Sequence, residues 1–231
     1  MKIVAIITAR GGSKRIPQKN IKDFLGKPII AYSIEAAVES GVFDEVMVST
    51  DSEEIASVAI KYGASVPFMR SDKTSNDYAT TADVIEEVIG DYKKAGKEYD
   101  SFACIYPTAP FITRIKLKNA FKLFEDENAD SVISVVKYDF PPQRAFVVRD
   151  QSLRYLQPEH EKTRSQDLEP VYHDCGQFYF AKTGEFLKKM SFVLPHTLPF
   201  VISPEEVQDI DTLDDWKLAE FKVEYLKMRT M

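Results

Sequence analysis

Lys2 to Ala9 reads as one apolar run, the pattern of a strand buried on both faces of a parallel sheet. The run stops at Arg10-Gly11-Gly12. After a polar loop, Lys27 to Ser40 carries Ile29, Ile30, Ile34, Ala37 and Val38 at helical spacing, with Pro28 near its first position and Gly41 behind it. Glu45 to Ser49 reads as a second strand. Asp51-Ser52-Glu53-Glu54 then caps a helix whose inward face is Ile55, Val58, Ala59 and Tyr62, closing at Gly63. Val84, Ile85, Val88 and Ile89 mark a third helix, Phe102 to Tyr106 a strand, Leu117 to Phe124 a helix and Ser131 to Val136 another strand. Such alternation predicts an α/β fold, a mainly parallel Rossmann-like sheet with helices on both faces. The rhythm breaks at Asp139-Phe140-Pro141-Pro142, and the polar, Arg- and Gln-rich stretch of about 139–171 reads as an insertion. The core pattern resumes at Gln177 to Ala181, continues at Phe200 to Ser203 and ends in a helix from Leu213 that places Trp216, Leu218, Phe221 and Tyr225 inward.

Length and charge narrow this picture. A chain of 231 residues suits a single domain over 1–231 with one elaboration, and 44% hydrophobic with 29% charged residues is the composition of a folded globular protein. The net charge of −6 offers no basic footprint for a nucleic acid backbone, so the partner to expect is a small anion met by local cations. Cys104 and Cys175 are too few for a disulfide scaffold. The N-terminus opens directly into strand-like sequence rather than a signal peptide, and no stretch approaches the roughly 20 apolar residues of a membrane span, so a cytoplasmic protein without a membrane partner is expected.

In doubly wound sheets, ligands sit at the carboxyl ends of strands, which draws attention to the loop after the first one. Residues 9–20 read Ala-Arg-Gly-Gly-Ser-Lys-Arg-Ile-Pro-Gln-Lys-Asn: Gly11 and Gly12 let backbone N–H groups approach an anion, and Arg10, Lys14, Arg15 and Lys19 concentrate cations. A polyphosphate matches this loop, although it is neither a Walker A sequence nor a G-x-G-x-x-G fingerprint; the plain alternative is a solvated turn. The second anchor is Gln208-Asp209-Ile210-Asp211-Thr212. If that segment is extended, Asp209 and Asp211 point to one face about 7 Å apart, as two oxygen ligands for Mg²⁺ require. An acidic helix N-cap is the alternative for Asp211. Between the anchors lie Arg70, Asp77, Thr80 and Thr81, and Tyr106-Pro107-Thr108-Ala109-Pro110 after a central strand. Thr80 or Thr81 serves equally as a simple N-cap. Tyr172 to Gln177 gathers titratable groups, His173 beside Asp174 among them, just before a strand, where a surface turn is an equal reading.

These segments together resemble a known family. The loop at 9–20, S-T-D at 49–51, P-F-M-R at 67–70, P-T-A-P at 107–110 and D-I-D-T at 209–212 are similar to those of the acylneuraminate (CMP-sialic acid) cytidylyltransferases. Within that family, F-L-G-K-P at 24–28, Q-R-A-F at 143–146, R-S-Q-D-L at 164–168 and Y-H-D-C-G-Q-F-Y at 172–179 resemble the pseudaminic acid branch. Two departures separate the chain from enzymes for N-acetylneuraminate: Tyr106 and Ile112 stand where those read Gln and Arg, and Asp174 to Phe178 replaces N-G-A-I-Y.

The resemblance implies a three-layer α/β/α nucleotidyltransferase in which the insertion serves a homodimer. The implied substrates are CTP and a nine-carbon keto-sugar acid, whose anomeric hydroxyl attacks the α-phosphorus and releases pyrophosphate. Such a displacement is catalysed mainly by alignment and charge neutralisation, which suits motifs built of cations, amides and a metal site. It assigns Arg10 and Lys19 to the triphosphate, with Ala9, Gly11, Gly12, Ser13, Lys14, Asn20, Arg70, Asp77 and Thr80 around the nucleotide. Asp209 and Asp211 take Mg²⁺, and Tyr106, Arg144, Arg164, His173 and Gln177 take the sugar. Rival readings are a legionaminic or N-acetylneuraminic acid substrate, a metal-dependent glycosyltransferase, and a catalytically silent nucleotide-binding protein.

Overall fold

The structure, a computed structural model, describes residues 1–229. In chain order the elements are β1 (Ile3–Thr8), a small hairpin of β2 (Asp23–Phe24) and β3 (Lys27–Pro28), α1 (Ile29–Ser40), β4 (Glu45–Ser49), α2 (Glu53–Lys61), the one-turn α3 (Asp72–Ser75), α4 (Thr81–Lys94), β5 (Ser101–Ile105), α5 (Arg114–Asp126) and β6 (Ser131–Lys137). A second hairpin of β7 (Phe146–Arg149) and β8 (Ser152–Tyr155) precedes β9 (Tyr172–Lys182), α6 (Thr183–Lys189), β10 (Thr197–Ile202) and α7 (Leu213–Arg229). The main sheet runs β10-β6-β9-β5-β1-β4, parallel throughout except for β9, which lies antiparallel between β5 and β6.

The alternation along β1 shows why its sequence is apolar on both sides. Ile3, Ala5 and Ile7 pack with α1, α2 and α5, while Val4 and Ile6 pack with α4 and α6 on the other face. Three layers result. A third apolar cluster lies outside them, where Trp216 and Val223 of α7 meet Phe24, Ile29, Ile16 and Ile210. Ile16 belongs to the cationic loop and Ile210 to the carboxylate segment, so this cluster brings together two stretches nearly two hundred residues apart.

Four expectations are revised. Helix α1 begins at Ile29, because Lys27 and Pro28 are used to pair with Asp23 and Phe24. Its Val38 is exposed, whereas the inward face read for α2 holds, with Ile55 and Ala59 buried and Val58 and Tyr62 packed against the same core. The strand read at Gln177 to Ala181 runs from Tyr172 and opposes its neighbours. On α7, Leu218, Phe221 and Tyr225 are 46%, 63% and 39% exposed, whereas Ala219 and Val223 join Trp216 inside. Residues two apart sit about 200° apart around a helix, so Trp216 and Leu218 cannot share a face, and contact with Phe24 selects the stripe of Trp216. Trp216→Ala is therefore expected to cost about 3–5 kcal/mol in urea unfolding, and Phe221→Ser less than about 0.5 kcal/mol. The reverse order would put the other face inward.

Residues 139–171 stand outside the main sheet. Their two ends are joined by the Tyr138 N–H donating to the Val171 carbonyl at 3.0 Å. The lobe carries the β7–β8 hairpin, whose turn residues Asp150 and Gln151 both have φ > 0, as a tight two-residue turn demands.

Candidate active site

Strands β1, β4 and β5 run in parallel, and the loops after their carboxyl ends meet. The Ala9 N–H extends the ladder by donating to the Ser49 carbonyl at 2.9 Å. The Gly11 N–H donates to Asp51 Oδ1 at 2.7 Å, and a Cβ on Gly11 would come within 3.1 Å of Ser52 Cβ, so a larger residue here would have to push Ser52 aside. Gly12 has open space instead: a Cβ there meets nothing within 4 Å. Asn20, buried, ties the end of the loop to its start by donating to the Arg10 carbonyl at 2.9 Å.

Each of the four loop cations is held by a carboxylate. Arg10 Nη1 donates to Asp77 Oδ1 and to the Asn76 carbonyl, both at 3.0 Å, and Lys14 takes the other oxygen of Asp77. Arg15 Nη1 lies 2.6 Å from Asp211 Oδ2, and Lys19 Nζ donates to the Ile210 carbonyl at 2.6 Å while standing 3.8 Å from Asp211 Oδ1. Burial pushes the Lys19 ammonium below its ordinary value, with Asp211 opposing the shift. The hydrogen bond from Lys14, reinforced by its charge, holds Asp77 below the usual carboxylate range. Arg70 is buried and donates to Ser49 twice, from Nε to Oγ at 3.0 Å and from Nη2 to the carbonyl at 2.6 Å. Burial pushes its guanidinium down to about 10, which leaves it charged at neutral pH.

Two adjoining cavities share Thr8, Arg10, Arg15 and Pro107. One, of about 440 Å³, opens between Arg70, Asp77 and Thr80; the other, of about 390 Å³, between Ser13, Lys14, Lys19 and Asn20. Thr80 also caps α4 in a reciprocal box with Asp83, so the plain N-cap reading of this residue holds as well. A larger cavity of about 620 Å³ is lined by Tyr106, Tyr138, His173, Asp174 and Asp209, and its one Lys or Arg side chain is Lys137. A fourth, of about 320 Å³, lies between Tyr106, Tyr179, Met190 and Phe192. Tyr106 lines three of the four, which makes it the partition between the cationic side and the other two spaces. Its ring packs 5.6 Å from that of Tyr179, and Tyr179 Oη donates to Asp174 Oδ2 at 2.6 Å. Asp174 reaches this position through a bulge: from Asp174 to Tyr179, β9 takes five steps while β6 takes two from Val135 to Ile133.

The remaining sequence-derived residues lie elsewhere. His173, its ring tilted against that of Tyr138 with centroids 4.6 Å apart, does face the large cavity. Arg144 donates to Ser165 Oγ at 3.3 Å and Arg164 pairs with Asp167 at 2.7 Å, both within the inserted lobe and lining none of these cavities. Gln177 is 2% exposed and spends its Nε2 on the Glu206 carbonyl, 2.7 Å away. Ile112 is buried in the core with α1 and α5, so it forms no part of a pocket wall. Asp209 is exposed at the large cavity, while Asp211 faces the cationic loop. Among the described residues, no three His, Cys, Asp or Glu side chains cluster as a ready-made metal cage. Two carboxylates beside a cationic loop nevertheless fit Mg²⁺, which keeps several waters and needs few protein oxygens.

Sequence reasoning missed several members. Asp51 and Ser49, which hold Gly11 and Arg70, were visible only as part of the S-T-D motif. Tyr179 was visible only as the end of the 172–179 motif, and Lys137, closing β6, and Phe192, in the bend after α6, carried no local signal.

A model of the cytidylyltransferase family matches residues 4–200. The chain belongs to the cytidylyltransferase family. Its members catalyse nucleotidyl transfer, and the chain is accordingly a nucleotidyltransferase enzyme. It is 44% identical over 221 residues to a pseudaminic acid cytidylyltransferase of Campylobacter jejuni, with 95% of each chain covered. It is 37% identical over 230 residues to a CMP-N,N'-diacetyllegionaminic acid synthase of Legionella pneumophila, again with 95% of each covered. In fold it resembles a CMP:2-keto-3-deoxy-manno-octonic acid synthetase solved with CTP, at TM-score 0.70 and 18% identity over the whole of both chains. The family resemblance drawn from the motifs and the three-layer nucleotidyltransferase fold are both borne out.

Proposed function

We propose that this cytidylyltransferase transfers CMP from CTP to the anomeric hydroxyl of pseudaminic acid. The observation that carries the chemistry is the meeting, at one sheet edge, of a loop with four cations and a segment with two carboxylates, next to a separate 620 Å³ cavity. The choice of sugar rests on the 44% identity to the Campylobacter jejuni enzyme over 95% of both chains. In the reaction, the anomeric hydroxyl releases its proton to solvent as its oxygen forms a bond to the α-phosphorus, the bond from that phosphorus to the bridging oxygen breaks, and pyrophosphate leaves. Arg10, Lys14 and Lys19 bind the triphosphate; Lys19 and Arg10 take up charge as it develops. Arg70 braces the loop edge through Ser49. Asp209 and Asp211 would hold Mg²⁺, which supplies charge neutralisation on the phosphate oxygens.

The enzyme acts in the cytoplasm, where CTP is made, as a homodimer. Support for the dimer is the lobe's exposed apolar hairpin, with Phe146, Val148, Leu153 and Leu156 open to solvent. Arg144 and Arg164, remote from their own subunit's cavities, would serve the sugar pocket of the second copy. Release of one pyrophosphate per CTP only when the sugar acid is added tests the reaction. A glycosyltransferase or a silent binding protein releases none.

Asp77 gives this reading a counterintuitive consequence. Its carboxylate occupies Arg10 and Lys14, so the triphosphate must displace it. Exposed pairs of this kind are weak, and Asp77→Asn is expected to tighten CTP binding about 2- to 10-fold by equilibrium titration. Weaker binding would make Asp77 a direct nucleotide contact.

A further inference from the structure

Both carboxylates of the proposed metal site stand on a stretch that has neither helix nor strand from Val207 to Asp211. Side chains from other elements hold its main chain instead. Gln177, in the β9 bulge, donates from Nε2 to the Glu206 carbonyl at 2.7 Å. Lys222 on α7 donates from Nζ to the Val207 carbonyl at 2.6 Å, and Lys19 to that of Ile210 at 2.6 Å. Lys116 on α5 pairs with the Glu206 carboxylate at 2.8 Å. Carbonyls are the targets of the first three bonds, so they set the path of the chain without occupying Asp209 or Asp211. Lys19 is assigned to the triphosphate and has to give up its carbonyl when nucleotide enters. Gln177 and Lys222 line none of the nucleotide cavities and keep theirs.

We propose that Gln177 and Lys222 are positioning residues that clamp the Glu206 and Val207 carbonyls and so fix where Asp209 and Asp211 stand for the metal. The proposal rests on the function given above and moves Gln177 from the sugar pocket to the support of the carboxylate segment. A bulge in a strand and a lysine on the last helix thereby share one task. The deeply buried Gln177 has its amide oxygen without a partner, which marks the side chain as kept for its donor rather than for a balanced pair of bonds.

Lys222→Met keeps the alkyl stem and removes the donor; Lys222→Arg restores one; Gln177→Met is the companion. Two readouts are taken: the Mg²⁺ concentration giving half-maximal kcat, and the melting temperature of the CTP-saturated protein, without sugar, in chelator and in Mg²⁺. Lys222→Met and Gln177→Met are each expected to raise the half-maximal Mg²⁺ about tenfold and to shrink the Mg²⁺-dependent rise in melting temperature, with KM for the sugar acid unchanged. Lys222→Arg is expected to recover most of both. A Lys222→Met protein with wild-type Mg²⁺ half-saturation, melting lower by the same amount with and without metal, overturns the clamp while leaving the function intact. A wild-type protein that releases no pyrophosphate from CTP overturns the function, and the clamp with it.

Discussion

Asp211→Asn is expected to lower kcat by about 10²-fold or more, with Lys19→Ala acting in the same direction. Asp211 lies between Arg15 and Lys19. Its side chain is partly exposed and that of Arg15 largely so, and loss of such a surface ion pair changes stability by only about 0–1 kcal/mol. A hundredfold fall in rate corresponds to about 2.7 kcal/mol and so cannot come from the ion pair; it requires a role at the transferring phosphate. Lys19→Ala separates binding from catalysis. The account expects kcat to fall more than KM for CTP rises, since the ammonium meets its strongest charge in the transition state. Steady-state rates at saturating CTP and sugar decide both. A near-wild-type kcat for Asp211→Asn removes it from the metal site, and a rise in KM alone assigns Lys19 to ground-state binding.

The second large effect concerns the sugar. Pseudaminic acid carries acetamido groups at C5 and C7 and a methyl at C9, whereas N-acetylneuraminate has hydroxyls at C7 and C9. Tyr106 forms the partition between cavities, and beyond it Val136, Phe140 and Val207 present apolar surface in the 620 Å³ cavity. Ile112 lies in the core, so an argument from an apolar wall rests on these residues instead. An apolar pocket separates added or missing methyl groups by only about 10- to 200-fold each, but two hydroxyls left without partners add their desolvation cost. The expected preference for pseudaminic acid is at least about 10³ in kcat/KM, measured for each acid singly. Comparable values would reject the named sugar and keep the cytidylyltransferase. A preference for legionaminic acid, which shares the two acetamido groups in other stereochemistry, would keep the apolar surface and reject the sugar.

Much of the fold was legible because its signals are local. Ile3 to Ile7 is a short, β-branched apolar run, the pattern of a strand buried on both faces, and the capping sequence at Ser52 marks the start of a helix. The direction of β9 was not legible, since an antiparallel strand inside a parallel sheet has the same apolar pattern as its neighbours. Nor was the face of α7: both of its stripes are apolar, and the contact of Trp216 with Phe24 makes the choice. At the site, sequence supplied the cations and the carboxylates as separate motifs. It could not show that Asp77, more than sixty residues away, occupies Arg10 and Lys14, or that Gln177 turns from the cavity toward the Glu206 carbonyl. Those pairings belong to the way loops meet at the ends of parallel strands.

The most direct test of the central claim is a competition with limiting CTP, Mg²⁺ and equal amounts of pseudaminic and N-acetylneuraminic acids, the CMP-sugars being resolved by mass and pyrophosphate counted. The product ratio equals the ratio of kcat/KM. The account predicts that CTP is consumed with one pyrophosphate each and that CMP-pseudaminate exceeds the other product by about 10³. Equal products, or an excess of CMP-N-acetylneuraminate, would contradict the substrate, and CTP left intact would contradict the reaction itself.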